Sequence, residues 1–140
     1  MCGIAGLFSK STSIEEELGA HLSAMLSQLA DRGPDSAGVA IYRNPAPTGS
    51  CKVSLFSPRS DEPWDRLAAE LSEAFGGGEE PEVRSTHALF VVPAGGTEVQ
   101  GWLGRERPDL RVMSVGQSNE IYKEAVDPRD FVERFGLSAV

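Results

Sequence analysis

Met1-Cys2-Gly3-Ile4-Ala5-Gly6-Leu7-Phe8 opens the chain, and its second residue decides how the rest is read. A side chain as small as that of Cys2 lets an aminopeptidase remove Met1. Cysteine would then stand at the terminus with both a thiol and a free α-amine. The thiolate is the reactive form, and a free thiol titrates near ~8.5. An α-amine titrates near ~7.7–8.0, so part of it is an uncharged base at neutral pH. A terminal nucleophile can therefore use its own amine as general base. Taken alone, a Met-Cys start reads more simply as an inert cysteine that packs as a small hydrophobe. Residues 4–8 are apolar and include a glycine, which predicts a buried strand. Such a strand would hold the terminus in a sheet, as a catalytic α-amine requires.

Ser13-Ile14-Glu15-Glu16 fits a capping box, with serine at the cap and glutamate three residues later. Leu18, Leu22, Met25, Leu26 and Leu29 then recur at helical spacing, which predicts an amphipathic helix over residues 14–30. His21 lies within it and has no second ligand at i+4, so it reads as an exposed helix histidine. Asp31-Arg32-Gly33-Pro34-Asp35-Ser36-Ala37-Gly38 follows. Its glycine and proline break the helix, and its arginine, carboxylates and hydroxyl make a polar loop. Val39-Ala40-Ile41-Tyr42 reads as a second apolar strand.

The opening Met1-Cys2-Gly3-Ile4-Ala5-Gly6, with Arg32-Gly33-Pro34-Asp35-Ser36-Ala37-Gly38 one helix later, resembles the class II glutamine amidotransferases. Position, order and spacing of the two motifs all match, over residues 1–42. The family consists of N-terminal nucleophile hydrolases with a four-layer αββα fold. The resemblance implies an α+β chain: the start of such a domain over residues 1–42, a small α/β insertion over 43–136, and a truncated end at 137–140, where the rest of the domain should begin. It implies Cys2 as the catalytic nucleophile, L-glutamine as substrate, and synthase subunits that receive ammonia. Arg32 and Asp35 would buttress the nucleophile end of the sheet, and Arg32, Gly33, Asp35 and Ser36 would support substrate binding. No cofactor or metal is implied.

The remaining motifs of that family are missing. There is no His-x-Arg to hold a substrate carboxylate and no Asn-Gly to form an oxyanion hole, since Asn44 precedes proline and Asn119 precedes glutamate. The stretch from Arg43 to Gly136 resembles the insertion in amidotransferase subunits of the N-methylglutamate synthase type, related to the amidotransferase part of glutamate synthase. In those proteins the missing motifs follow the insertion. The chain thus reads as the first portion of an amidotransferase, inactive by itself. The alternative is a non-catalytic binding or regulatory module of a synthase complex. A redox role for Cys2 and Cys51 lacks any Cys-x-x-Cys.

Within that insertion, residues 52–56 read as a strand with alternating apolar positions. Trp64, Leu67, Ala68, Leu71 and Phe75 form a helical stripe that Gly76-Gly77-Gly78 stops. Residues 87–92 predict a strand, residues around Val99, Trp102 and Leu103 a short helix, and residues 110–115 another strand. That alternation predicts an α/β unit. Asp127-Pro128 reads as a helix cap with proline in the first turn, with Phe131 and Phe135 on one face and Gly136 at the end. His87 reads as structural, and Asp61-Glu62 and Glu79-Glu80 as solvated pairs.

Composition narrows the function class. The chain has 140 residues, a net charge of −8 and 40% hydrophobic residues, which fits a globular fold of one domain or part of one. Its negative field repels nucleic acid and anionic membranes. Two cysteines in no ligand spacing point to a reducing cytoplasm. No apolar run approaches the ~18 residues that span a bilayer.

Overall fold

The computed structural model describes residues 3–77 and 79–140. Two units form, Met1–Gly38 with Lys123–Val140, and Val39–Tyr122. The elements are α1 (Thr12–Glu16), α2 (Leu18–Gln28), β1 (Ala37–Tyr42), β2 (Cys51–Phe56), α3 (Trp64–Phe75), β3 (Glu82–Arg84), β4 (His87–Val92), α4 (Gly96–Glu106), β5 (Arg111–Gly116), β6 (Asn119–Glu124) and α5 (Pro128–Arg134). The fold is α+β.

In the unit Val39–Tyr122, β3, β4, β2 and β5 lie side by side in that order. β2 runs antiparallel to both β4 and β5, and β3 is antiparallel to β4. The expected α/β unit is therefore corrected to an antiparallel α+β one. Strand and helix do alternate along the chain, but β2 separates β4 from β5, so no parallel pair forms. Cys51, Val53 and Leu55 of β2 share a face with Ala88, Phe90 and Val92 of β4. Onto that face pack Trp64, Leu67 and Leu71 of α3 and Val99 and Leu103 of α4. These side chains recur at three- and four-residue steps, which puts each set on one side of its helix. Gly76 ends α3 with φ 74°, a left-handed conformation that glycine adopts without a side-chain clash.

The opposite face of the sheet is also covered. β1 and β6 pair with each other, and residues 39–42 and 119–122 of these strands belong to this unit. Glu120 and Tyr122 are buried, and the Ile121 N–H donates to Ser54 Oγ of β2 at 3.1 Å. With both faces covered, β2 is buried at five successive positions and does not show the alternation expected of it. β3 and β6 are strands that hydrophobic periodicity did not predict.

In the other unit, the predicted helix is divided. α1 ends at Glu16, Glu17 forms a turn, and α2 runs from Leu18 to Gln28, followed by a 3₁₀ turn at Ala30–Arg32. The N-cap is Ser11 rather than Ser13, and the two serine hydroxyls bond each other at 2.7 Å. The hydroxyl of Ser13 is thus engaged with its neighbour and does not cap the helix. Gly19, Ser23 and Ala30, not the leucines, are the most buried positions of this stretch. A Cβ at Gly19 would lie 2.2 Å from the Leu137 carbonyl oxygen, so residues 137–140 pack directly on the backbone of α2. α5 begins as predicted, with the Asp127 carboxylate accepting from the Arg129 N–H at 2.8 Å. Phe131 and Phe135 stack at 4.2 Å, and Gly136 closes the helix with φ 57°.

Residues 4–8 depart furthest from expectation. They form no strand, and Ile4 and Phe8 are 98% and 83% exposed. An apolar stretch becomes a buried strand only where a neighbouring strand satisfies its backbone, and none among the described residues pairs with it.

Candidate functional site

Cys2, the predicted nucleophile, lies outside the described residues. Gly3 follows it and packs against Leu29, whose Cδ2 would lie 2.9 Å from a Cβ added at Gly3. Leu29 accepts from the Arg32 N–H at 2.9 Å, and the Gly33 N–H donates to Ala30 O at 3.2 Å. These bonds make the 3₁₀ turn that carries the chain from α2 into the predicted loop. Residue 3 and the start of that loop therefore share Leu29 as a neighbour.

Arg32, Asp35 and Ser36 are exposed and Gly33 is half-buried. Among the described residues, none of the side chains of Arg32, Asp35 and Ser36 has a hydrogen-bond partner. The loop is pinned on its N-terminal side by Asp31, whose carboxylate pairs with Arg129 at 2.9 Å. The Asp31 carboxylate raises the Arg129 guanidinium above its ordinary value. On its C-terminal side the loop enters β1, where Ala37, Val39 and Ile41 point inward. An arginine, a carboxylate and a hydroxyl thus stand in solvent between two anchored ends. That arrangement can donate and accept hydrogen bonds towards a small polar ligand.

The unit Val39–Tyr122 holds its charges differently. Lys52 and Glu120 are buried, and Lys52 Nζ donates to Glu120 Oε1 at 2.6 Å and to the Arg43 carbonyl at 3.0 Å. Arg43 also reaches Glu120, at 3.4 Å, and Glu82, at 3.5 Å. Arg84 pairs with Glu82 in turn. Arg43, Lys52, Glu82 and Glu120 wall a cleft of about 380 Å³ edged by Pro45, Pro47, Glu79 and Glu80.

A second network centres on Glu62, whose side chain is fully buried. Glu62 accepts from Arg107 at 2.6 Å, Ser57 at 2.8 Å and Arg59 at 2.7 Å. Burial pushes its carboxyl up, but hydrogen bonds from Arg107, Ser57 and Arg59 outweigh this and hold it below the usual carboxylate value. The expectation that Asp61-Glu62 is a solvated pair is thus corrected for Glu62. Two arginines and a serine supply the stabilisation that water would otherwise give, and one of the arginines lies 45 residues away. Glu79 and Glu80 are exposed, as expected.

His87 is fully buried against Phe56 and Tyr122, with Thr86 Oγ1 3.2 Å from its Nδ1. Burial lowers its pKa to about 4, so it is neutral at physiological pH. Cys51 is buried on β2, and burial pushes its thiol up, away from the reactive thiolate. Among the described residues no cluster of His, Cys, Asp and Glu is placed to hold a metal. No helix among them is long and apolar enough to cross a membrane.

The geometry can be set beside known proteins. Over its whole length the chain is 43% identical to the glutamine amidotransferase-like protein GlxB of Rhizobium meliloti strain 1021. The chain is similar throughout to a glutamine amidotransferase-like protein. It spans about half of that relative, 46% of its length. A stretch of 42 residues is 52% identical to a putative glutamine amidotransferase of Methanothermobacter thermautotrophicus, covering 30% of this chain and 13% of that protein. No family model matches.

Proposed function

We propose that this chain carries the nucleophile of a class II glutamine amidotransferase, an N-terminal nucleophile hydrolase most like the subunits of N-methylglutamate synthase and glutamate synthase. The observation that carries this reading is the full-length similarity to a glutamine amidotransferase-like protein in a chain that begins Met1-Cys2-Gly3. With Met1 removed, the Cys2 thiolate attacks the side-chain carboxamide carbon of L-glutamine. The α-amine of Cys2 takes the thiol proton and passes it to the departing nitrogen, which leaves as ammonia. The γ-glutamyl thioester is then hydrolysed by water, which frees glutamate and restores the thiol. Ammonia goes on to a synthase subunit. Arg32, Gly33, Asp35 and Ser36 support the glutamine end of this site, where their exposure leaves them open to a ligand.

In this reading residues 1–42 begin an αββα domain, residues 43–136 are inserted into it, and residues 137–140 lead back to it. The compact unit Val39–Tyr122, with its own two-sided sheet, supports an insertion. The oxyanion hole and the substrate clamp belong to the half of the protein that this chain does not span. An oxyanion donor is worth about 10²–10³ in rate, so hydrolysis needs both halves.

The test uses the full natural reading frame. Cys2→Ala should abolish glutamine hydrolysis, while Cys51→Ala, at a buried thiol on β2, should leave it nearly unchanged. Equal losses would indicate a disulfide or redox role instead. A mass showing Met1 retained would remove the terminal base from the mechanism. One observation favours a second reading, a non-catalytic synthase module. Residues 4–8 are not held in a sheet as a working terminal amine requires. Absence of glutamine hydrolysis in the unaltered protein would favour that module.

A further inference from the structure

We propose that the groove between α3 and α4 docks a basic segment of a partner polypeptide, with Glu73 and Glu106 as its counter-ions beside Trp102. The proposal does not depend on the hydrolase reading.

The groove encloses about 590 Å³, the size of many ligand pockets. α3 turns Arg66, Glu70, Glu73 and Ala74 towards it, and α4 contributes Trp102 and Glu106. These spacings of three and four residues place each set on one helix face. The arginines of the groove are already committed. Arg59 and Arg107 hold Glu62, Arg107 also holds Asp109 at 2.9 Å, and Arg66 holds Glu70 at 2.9 Å. Three guanidiniums are thereby matched by three carboxylates. Glu73 and Glu106 are left over, and neither has a cation within ion-pairing distance among the described residues.

The surplus charge lies beside an aromatic ring. Trp102 is half-buried and packs edge-on against Phe75, with ring centroids 5.9 Å apart. That contact fixes the indole without filling the groove. Unpaired carboxylates next to an indole suit a guanidinium or ammonium, which gains both ion pairing and contact with the ring. A tryptophan among arginines is also the composition typical of protein interfaces. The chain's net charge of −8 draws basic partners and repels acidic ones.

The experiment titrates the complete chain with a dye-labelled hexapeptide of alternating arginine and alanine, read by fluorescence anisotropy. Binding should occur and weaken as salt is raised. Glu73→Gln with Glu106→Gln should weaken it about tenfold or more. Glu79→Gln with Glu80→Gln removes the same charge from another exposed pair and should leave binding unchanged. All four positions are exposed, so both double variants should stay folded, as amide exchange in β2 and β4 would show. Absence of binding, full binding by the Glu73/Glu106 variant, or equal loss in both variants would each overturn the proposal. Argininamide binding as tightly as the peptide would also overturn it, in favour of a small-cation site.

Discussion

The two units close their interiors by different means. In Val39–Tyr122 a sheet is buried on both faces, with apolar side chains under the helices and a Lys52–Glu120 pair under β6. In the other unit, α2 presents small residues, Gly19 and Ser23, and lets the backbone of residues 137–140 approach. The first gains from area removed from water, at about 25 cal/mol per Å². The second gains from close approach, and it leaves Ile4 and Phe8 in solvent. A unit with a filled two-sided sheet tolerates buried charge only when each charge is answered. A unit built on backbone contact is sensitive to a single methyl group.

The largest expected effect falls on the buried ion pair of Val39–Tyr122. Glu120→Ala leaves Lys52 buried without its carboxylate and should cost about 3–5 kcal/mol. Urea unfolding monitored in Val39–Tyr122 would measure it. Replacing the pair together, Lys52→Met with Glu120→Leu, should recover most of the loss, because apolar residues of similar size need no partner. A loss under about 1 kcal/mol for Glu120→Ala would show that water reaches Lys52.

A second effect concerns the buried imidazole of the same unit. Buried His87 titrates at about 4 in the native chain, against an ordinary ~6.5. As pH falls, the unfolded chain therefore takes up this proton first. The contribution is full above ~6.5 and is lost progressively down to about 4, on the order of 3 kcal/mol in all. His87→Phe should flatten the dependence of stability on pH between ~6.5 and ~5, above the range of ordinary carboxylates. An unchanged slope would mean that the imidazole accepts a proton without opening the unit.

The sequence was most legible where apolar periodicity and local signals agree. The stripe Trp64, Leu67, Leu71 with Gly76 behind it marks α3, and Asp127-Pro128 marks the start of α5. It was least legible where a partner lies far along the chain. Asn119-Glu120-Ile121-Tyr122-Lys123-Glu124 reads as polar, yet it is β6, because Lys52 answers Glu120 across 68 residues. Glu62 looked solvated for the same reason, its partner Arg107 being 45 residues away. Residues 4–8 misled in the other direction. Their composition fits a strand, but composition does not supply the neighbour that a strand requires. The candidate site was legible as two motifs on either side of a helix. Its electrostatic setting was not, since the Asp31–Arg129 pair joins residues 98 apart.

The smallest of the three effects tests the other unit. Gly19→Ala would normally favour a helix by about 0.8–1 kcal/mol, since alanine loses less backbone entropy than glycine. Here the new methyl group would sit 2.2 Å from the Leu137 carbonyl oxygen and 2.9 Å from the Val140 nitrogen, both closer than van der Waals contact. Both are backbone atoms, so no side-chain rotation relieves the clash. Either residues 137–140 shift with strain of about 1–3 kcal/mol, or they detach. Detachment exposes Leu137, now fully buried, at about 1.5–3 kcal/mol. Either cost exceeds the propensity gain, so the net loss should be about 1–2 kcal/mol. Amide exchange should quicken in α2 and in the turn Leu137–Ala139, while β2 and β4 keep their protection. Stabilisation by Gly19→Ala would show that residues 137–140 do not rest on α2 in solution. Loss of protection in β2 and β4 as well would show that the two units open as one.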